Sequence, residues 1–360
     1  MDGSTRKSLL DIIEKNSGFL KTLCLYVVCN KKTHQTDFSN FSKFDVRTEY
    51  LSDIEFEQVD FLLNKCMPVK GYFFNESDFI KFICDNEIDT KNIIVYNSAQ
   101  SGTGIGRKSL IPAFCAHKGI IVTGSNTYSV ALCRHKYHAI KLLECHGFRV
   151  PDTYLHDKDW CYGKPLTGEK YIIKPLYESA SIGIDSDSII QYNESSIKTI
   201  QSKENELKQP VIVQDFIEGY EIEVPCVAYG RDVWALPPVG IALNNDTRIM
   251  GNNILDYQRV YFDNYRFFDI GKHDIDVAGI KSDAQAVVRM LGLSGLCRVD
   301  FRMTTDGQYY ITDISTNPHF IQHSSVNYAF SLLSLLPETI AGIILSCAIQ
   351  SKLLNYSDQN

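Results

Sequence analysis

Apolar and polar positions fall into two rhythms along the chain. Over the first 125 residues, short apolar runs of strand length alternate with segments of helical spacing. Leu23–Cys29, Asn92–Tyr96 and Gly119–Thr123 read as strands buried on both faces, and Glu76–Cys84 and Lys108–His117 read as helices beside them. Strands separated by helices predict an α/β unit built on a parallel sheet. One helix is predicted from about Ser129 to Cys145, closed by His146-Gly147 with Pro151 beyond. From Tyr171 onward β patterns dominate, at Tyr171–Lys174, Val211–Gln214, Glu221–Tyr229, Gly295–Met303 and Gln308–Ser315. Residues 243–273, rich in Asn, Asp, Tyr and Arg, read as one long irregular loop, a length that in compact proteins is commonly functional.

Length and composition narrow the class. The chain's 360 residues correspond to two or three domains, and 44% hydrophobic with 22% charged residues excludes wholesale disorder. A formal charge of −7 argues against a nucleic-acid binder held mainly by charge, while leaving room for a local basic pocket. The eleven cysteines are scattered without a Cys-x-x-Cys pair, which supports neither a disulfide framework nor a zinc ribbon. Buried thiols in a reducing, cytoplasmic setting are expected. Residues 18–29 are apolar but too short to span a bilayer and are interrupted by Lys21; Ile340–Ile349 reads as a core helix rather than an anchor, so no membrane partner is expected.

Three local patterns carry chemistry. The first is a hairpin around Asp306-Gly307, a strong two-residue turn signal. Leu296, Arg298, Asp300 and Arg302 share one face of its first strand; Tyr309, Ile311, Asp313 and Ser315 share one face of its second. Pairing Thr305 with Gln308 sets Asp300 opposite Asp313. Opposed like charges destabilise a sheet, so the pair calls either for a hard cation such as magnesium or manganese or for neutralisation by Arg298 and Arg302. The second is Lys174 to Gly183, where a lysine ends an apolar strand and leads into a loop of small and hydroxyl residues suited to phosphate. The third is Ser101 to Ser109, glycine-rich between a strand and a helix. Arg107 occupies the place where both a dinucleotide fingerprint and a P-loop need glycine. That loop is either an anion site at a helix N-terminus or a plain connection. His135 and His138 share a helix face without metal-ligand spacing.

Taken in order from about Asn92 to Leu345, these segments resemble the ATP-grasp superfamily, and within it the D-alanine–D-alanine ligase group. The resemblance implies an N-terminal parallel α/β domain (1–125), then a two-lobed α+β ATP-grasp fold with a central lobe (126–213) and a C-terminal lobe (214–360). It implies ATP and Mg2+ (or Mn2+) as cofactors, small amino-acid-like substrates, and a homodimer. Lys136, in Arg134-His135-Lys136, and Lys174 would hold phosphate, and Glu178, Ser179 and Ser181 would lie in a flexible lid over the triphosphate. Backbone groups of Asp215, Phe216 and Ile217 would read the adenine edge, Gln214 would accept from its amino group, and Glu221 would accept the ribose hydroxyls. Asp300 and Asp313 fall on metal-ligand positions. Arg298 matches an arginine that stabilises the tetrahedral transition state.

The sequence also departs from that family. After the second acid it reads Asp313-Ile-Ser315-Thr-Asn317-Pro318-His319, so the third metal ligand is Ser315 or Asn317, and His319 replaces a glycine beside the reacting oxyanion. His323 and Ser324 match the family's His-Ser pair, which assigns Ser324 to a substrate carboxylate. The family's phosphate-facing lysine aligns with Val260, with Arg259 as the neighbouring substitute. The Gly-Gly-x-Ser-x-Glu pattern that receives the first D-alanine is missing, and Cys29-Asn30-Lys31-Lys32 follows the first strand instead. The expected reaction is ATP-dependent ligation of a carboxylate to an amine through an acylphosphate, giving a dipeptide or amide. A nucleotide-binding protein that has lost ligation is the alternative.

Overall fold

The computed structural model describes residues 2–34, 44–86, 88–102, 104–243, 248–273 and 275–357. Three sheets follow one another along the chain. The first contains β1 (Cys24–Cys29), β2 (Val69–Phe73), β3 (Ile93–Ser98) and β4 (Ile121–Val122), all parallel, in the order β2-β1-β3-β4. Helices α1 (Asp2–Leu20), α2 (Asp53–Cys66), α3 (Glu76–Asp85) and α4 (Leu110–Lys118) belong to this region. The parallel α/β unit expected from the sequence is present. Helices α1 and α2 and strand β2 were not foreseen, although Ser52 and Glu55 form a reciprocal capping box at the start of α2.

The second sheet is antiparallel: β5 (Thr153–Asp157), β6 (Asp159–Trp160), β7 (Lys170–Pro175), β8 (Ile189–Gln191) and β9 (Val211–Asp215), in the order β6-β5-β9-β7-β8. Strand β9 runs across residue 213, the expected lobe boundary. Three helices flank this sheet in sequence: α5 (Thr127–Arg134), α6 (Lys136–Cys145) and α7 (Ser196–Leu207). The single helix predicted from Ser129 to Cys145 is therefore two. His135 leaves helical geometry (φ −87°, ψ 85°), its ring accepts the His138 amide as an N-cap, and the Lys136 amide donates to the Leu176 carbonyl. A tertiary backbone bond has replaced a local one, which sequence periodicity cannot show.

The third sheet contains β10 (Tyr220–Tyr229), β11 (Asp232–Ala235), β12 (Val239–Leu243), β13 (Tyr265–Asp269), β14 (Gly295–Met303) and β15 (Tyr309–Ser315). Its order is β13-β12-β10-β14-β15, with β11 paired to β10. Helices α8 (Tyr257–Tyr261), α9 (Ala278–Met290), α10 (Ser325–Leu332) and α11 (Pro337–Ser357) complete the chain. The presumed loop 243–273 thus contains α8 and edge strand β13, while its residues 244–247 lie outside the described residues. One face of the sheet packs Ile222, Val224, Cys297 and Phe301 against Ile280, Ala284 and Val287 of α9. Helix α11 returns to the first sheet, where Ile340, Ile343 and Leu345 join Leu25 and Val27 in one core. It is the core helix its composition suggested, and among the described residues no single helix is long and apolar enough to cross a membrane.

The hairpin differs from the expected one in two respects. Its turn is one residue longer than Asp306-Gly307 implies: Thr304 faces Gln308, with Gly307 in the left-handed region (φ +89°). Thr312 then forms a bulge, because Phe301 pairs with Ile311 while Asp300 pairs with Asp313. The two one-residue displacements cancel, so the expected opposition of Asp300 and Asp313 stands. The face assignment does not. Ile311 joins the helix-covered core with Phe301, whereas Asp313 and Ser315 line the cleft on the opposite side.

Candidate active site

A cavity of about 1060 Å³ lies between the three sheets and is lined by residues from all of them. Its floor is the open face of the third sheet. Alternation along β10 and β14 puts Glu221, Glu223, Arg298, Asp300 and Arg302 there, and the bulge adds Asp313. Arg298 forks onto Asp300 at 2.6 and 2.8 Å and also reaches Glu223 at 2.9 Å. Arg302 pairs with Glu221 at 2.8 Å and Lys136 with Asp313 at 2.6 Å. Lys174, from the end of β7, donates to Gln214 at 2.8 Å. Four carboxylates thus face four cations.

The electrostatics follow from that arrangement. Burial pushes Glu223 up to about 7, because it shares the single Arg298 cation with Asp300, whose carboxyl burial also raises. Burial would raise Asp313 as well, but Lys136 and Lys174 outweigh it and hold its carboxyl below the usual range. Desolvation lowers Lys174 to about 8. Glu223 was missed in the sequence, although it stands two residues after Glu221 in the same period-two pattern.

The opposite corner of the cavity is built by the N-terminal domain and the loop after β7. Glu49 is held by Arg107, Lys108 and Arg134, each at 3.5 Å, and accepts the Ser179 amide at 2.8 Å. Glu178 pairs with Arg107 at 2.9 Å and Arg134 at 3.5 Å, and accepts from Gln209 at 3.1 Å. Although burial opposes it, the three surrounding cations hold Glu49 well below the usual carboxylate range. Glu178 and Ser179 were expected in a flexible lid; here the loop is tied to the N-terminal domain by buried ion pairs. Ser181 is fixed too, its hydroxyl donating to the Leu255 carbonyl at 2.6 Å.

Residues 139–341 match the family described as D-ala D-ala ligase C-terminus, more than half of the chain. The chain belongs to this family. It is an ATP-grasp protein of the D-alanine–D-alanine ligase-like carboxylate–amine ligase group. The D-alanine–D-alanine ligase of Cupriavidus taiwanensis is 26% identical over 247 residues, 68% of this chain and 72% of that protein. That of Neisseria meningitidis serogroup B is 27% identical over 213 residues, 58% of this chain and 65% of that protein, just under two thirds of its length. The solved D-alanine–D-alanine ligase of Bacillus anthracis complexed with ATP shares the fold, with a TM-score of 0.67 at 16% identity, over 92% of this chain and 99% of that one. The Coxiella burnetii enzyme has a TM-score of 0.60 at 14% identity, covering 94% and 97%. An N-terminal α/β domain followed by a two-lobed ATP-grasp fold is therefore the architecture.

Set against this ATP-grasp family, the remaining candidates divide. Gln214, Asp215, Phe216, Ile217 and Glu221 all line the cavity. The amides of Asp215 and Phe216 already donate to the carbonyls of Asp152 and Lys170, and burial raises the Asp215 carboxyl to about 6. Ser324 lines the cavity as the N-cap of α10, its hydroxyl donating to Ile321 and accepting from Asn327. Arg259 turns onto its own loop, bonding the Ile254 carbonyl and Asp256, and Val260 lines the cavity in its stead. Ser315, Asn317 and His319 reach the cavity wall, and the Asn317 amide nitrogen donates to the Asn97 carbonyl. Among the described residues, no three His, Cys, Asp or Glu side chains are grouped to hold a metal ion. The oxygen donors Asp300 and Asp313, opposed across the hairpin, nevertheless have the hard chemistry that magnesium prefers, and Asn317 uses its nitrogen elsewhere.

Proposed function

We propose that the chain is an ADP-forming ligase that joins a carboxylate to an amine through an acylphosphate, in the manner of D-alanine–D-alanine ligases, to give a dipeptide or amide. The observation that carries this reading is the convergence of Lys136, Lys174, Arg298, Asp300 and Asp313 in one cavity bordered by the Gln214–Ile217 strand end. Lys136 and Lys174 hold the triphosphate, with Gln214 to Ile217 at the adenine and Glu221 at the ribose. Asp300 and Asp313, with Asn317 or Ser315, would hold magnesium or manganese, which when bound supplies charge neutralisation along the triphosphate.

The acid's carboxylate oxygen attacks the γ-phosphorus in line; the new P–O bond forms as the bond to the β-phosphate oxygen breaks, releasing ADP. The amine then attacks the acyl carbon, the carbonyl oxygen takes the negative charge, and its collapse expels phosphate with loss of the amine proton. Arg298 faces this charge and orients it. The work is positioning and electrostatics rather than nucleophilic catalysis by a side chain. The test is acid-dependent ADP release measured with a panel of D- and L-amino acids. Asp300→Asn and Lys174→Ala should each abolish it, and retained turnover in both overturns the assignment. Tight magnesium–ATP binding by the wild type with no product from any pair would favour the alternative, a nucleotide-binding protein without ligation.

A further inference from the structure

In the buried cluster at the N-terminal corner, three cations are ion-paired with two carboxylates. Among the described residues Arg107, Lys108 and Arg134 pair with Glu49 and Glu178; Arg107 also donates to the Gln100 carbonyl at 2.6 Å and Arg134 to the Ser179 hydroxyl at 3.1 Å, while the neighbouring carboxylates Glu55 and Glu76 accept from Ser52 and from Ser101 and Asn30. The contacts with Glu49 are long for charge-assisted bonds, which run nearer to about 2.8 Å. Arg134 is only 6% exposed and lines the cavity; its Nε makes no hydrogen bond, and its Nη2 and that of Arg107 meet Glu178 and Glu49 only at 3.5 Å. Buried guanidinium donors normally find acceptors at closer range, so these weakly engaged donors leave capacity for a further oxyanion. Lys108 is the reachable member. Its side chain is 23% exposed and lines the cavity, against 3–6% for the other four.

This corner and the Asp313 end of the cavity draw on different cations. The break at His135 sends Arg134 to Glu49 and Glu178, while Lys136, two residues on, turns to Asp313. The loop between β3 and α4 therefore contributes its basic pair, Arg107-Lys108, rather than a glycine cradle, and residue 103 within it lies outside the described residues. We infer that Lys108 and Arg134 form a subsite for a second carboxylate on the acid substrate, so that the acid is a dicarboxylate rather than a simple monocarboxylic amino acid. This rests on the ligase reading. Glu49 keeps Lys108 and Arg134 poised while the substrate's distal carboxylate supplies a closer acceptor.

The experiment is ADP release by the wild type with ATP, magnesium and hydroxylamine as amine, comparing succinate, aspartate and glutamate (both enantiomers) with D-alanine and D-lactate. The dicarboxylates should have the higher kcat/KM. Lys108 sits at φ +71°, where asparagine is the best-tolerated uncharged replacement. Lys108→Asn should raise KM for the preferred dicarboxylate by about tenfold or more, leave KM for ATP within about twofold, and shrink the preference over D-alanine. Lys108→Arg should restore it. Equal or better turnover with D-alanine in the wild type overturns the subsite but leaves the ligase reading intact. A raised KM for ATP in Lys108→Asn, or failure of Lys108→Arg to rescue, also overturns it. ADP release with none of these acids, despite magnesium–ATP binding, overturns the ligase reading and the subsite with it.

Discussion

The two ends of the cavity handle charge differently. On the third sheet, Arg298, Arg302 and Lys136 hold Glu221, Glu223, Asp300 and Asp313 in ion pairs of 2.6–2.9 Å, and Lys174 donates to Gln214 beside them. In the N-terminal corner three cations share two acids, and four of the five pairs are at 3.5 Å. The balanced end is organised before any ligand arrives, so on the proposed ligase reading a nucleotide and metal would exchange partners there with little reorganisation. The unbalanced end is deeply buried and still holds weakly engaged donors. Affinity for a common cofactor suits the first condition; discrimination among acids suits the second, because buried donors left unpaired penalise the wrong substrate.

That contrast can be broken most forcibly at Glu178. Glu178→Gln leaves Arg107 and Arg134 with Glu49 alone, and removal of one partner from a buried pair costs about 3–5 kcal/mol of unfolding free energy. Asp313→Asn, whose side chain is 37% exposed beside a Lys136 side chain 10% exposed, should cost less than Glu178→Gln. Urea denaturation of both variants checks this, and equal losses would erase the difference between the two ends.

Arg298→Ala tests the balanced end by rate instead. Removing the cation that Asp300 and Glu223 share should lower kcat by about 10²–10³ with any accepted acid, as loss of an oxyanion donor does. Initial-rate kinetics would show it; an unchanged kcat would remove Arg298 from the chemistry.

A further test is in pH. Burial lowers Lys174 and Lys108 to about 8, one lysine at each end. An unfolded lysine titrates near about 10.4, so between about pH 8 and 10 the unfolded chain binds more protons and stability should rise with pH. Over the same interval Lys174 loses its charge and KM for ATP should increase. Lys174→Met should flatten both trends in ligand-free melting and in steady-state kinetics, whereas Lys108→Asn should flatten only its share of the first. A pH-independent KM for ATP would remove Lys174 from the phosphate site.

Much of the sheet-borne site was legible in the chain. Alternation alone placed Arg298, Asp300 and Arg302 on one face, and motif order located Lys136 and Lys174 in the same cavity. What escaped was non-local. Glu49 meets Arg134 across 85 residues and Glu178 meets Arg107 across 71, separations that no local pattern encodes. The break at His135 depends on a carbonyl from Leu176, and β13 is an edge strand defined by its pairing with β12. The start of α2 could have been found, since Ser52-Asp-Ile-Glu55 is a readable capping box.

The bulge at Thr312 has a consequence for how the hairpin tolerates change. It lies between the turn and the two opposed aspartates, so it works as an expansion joint. A turn shortened by one residue could be absorbed by straightening the bulge, with Asp300 still facing Asp313. The loop at the hairpin's tip is thus free to drift in length and composition while the acids hold their station.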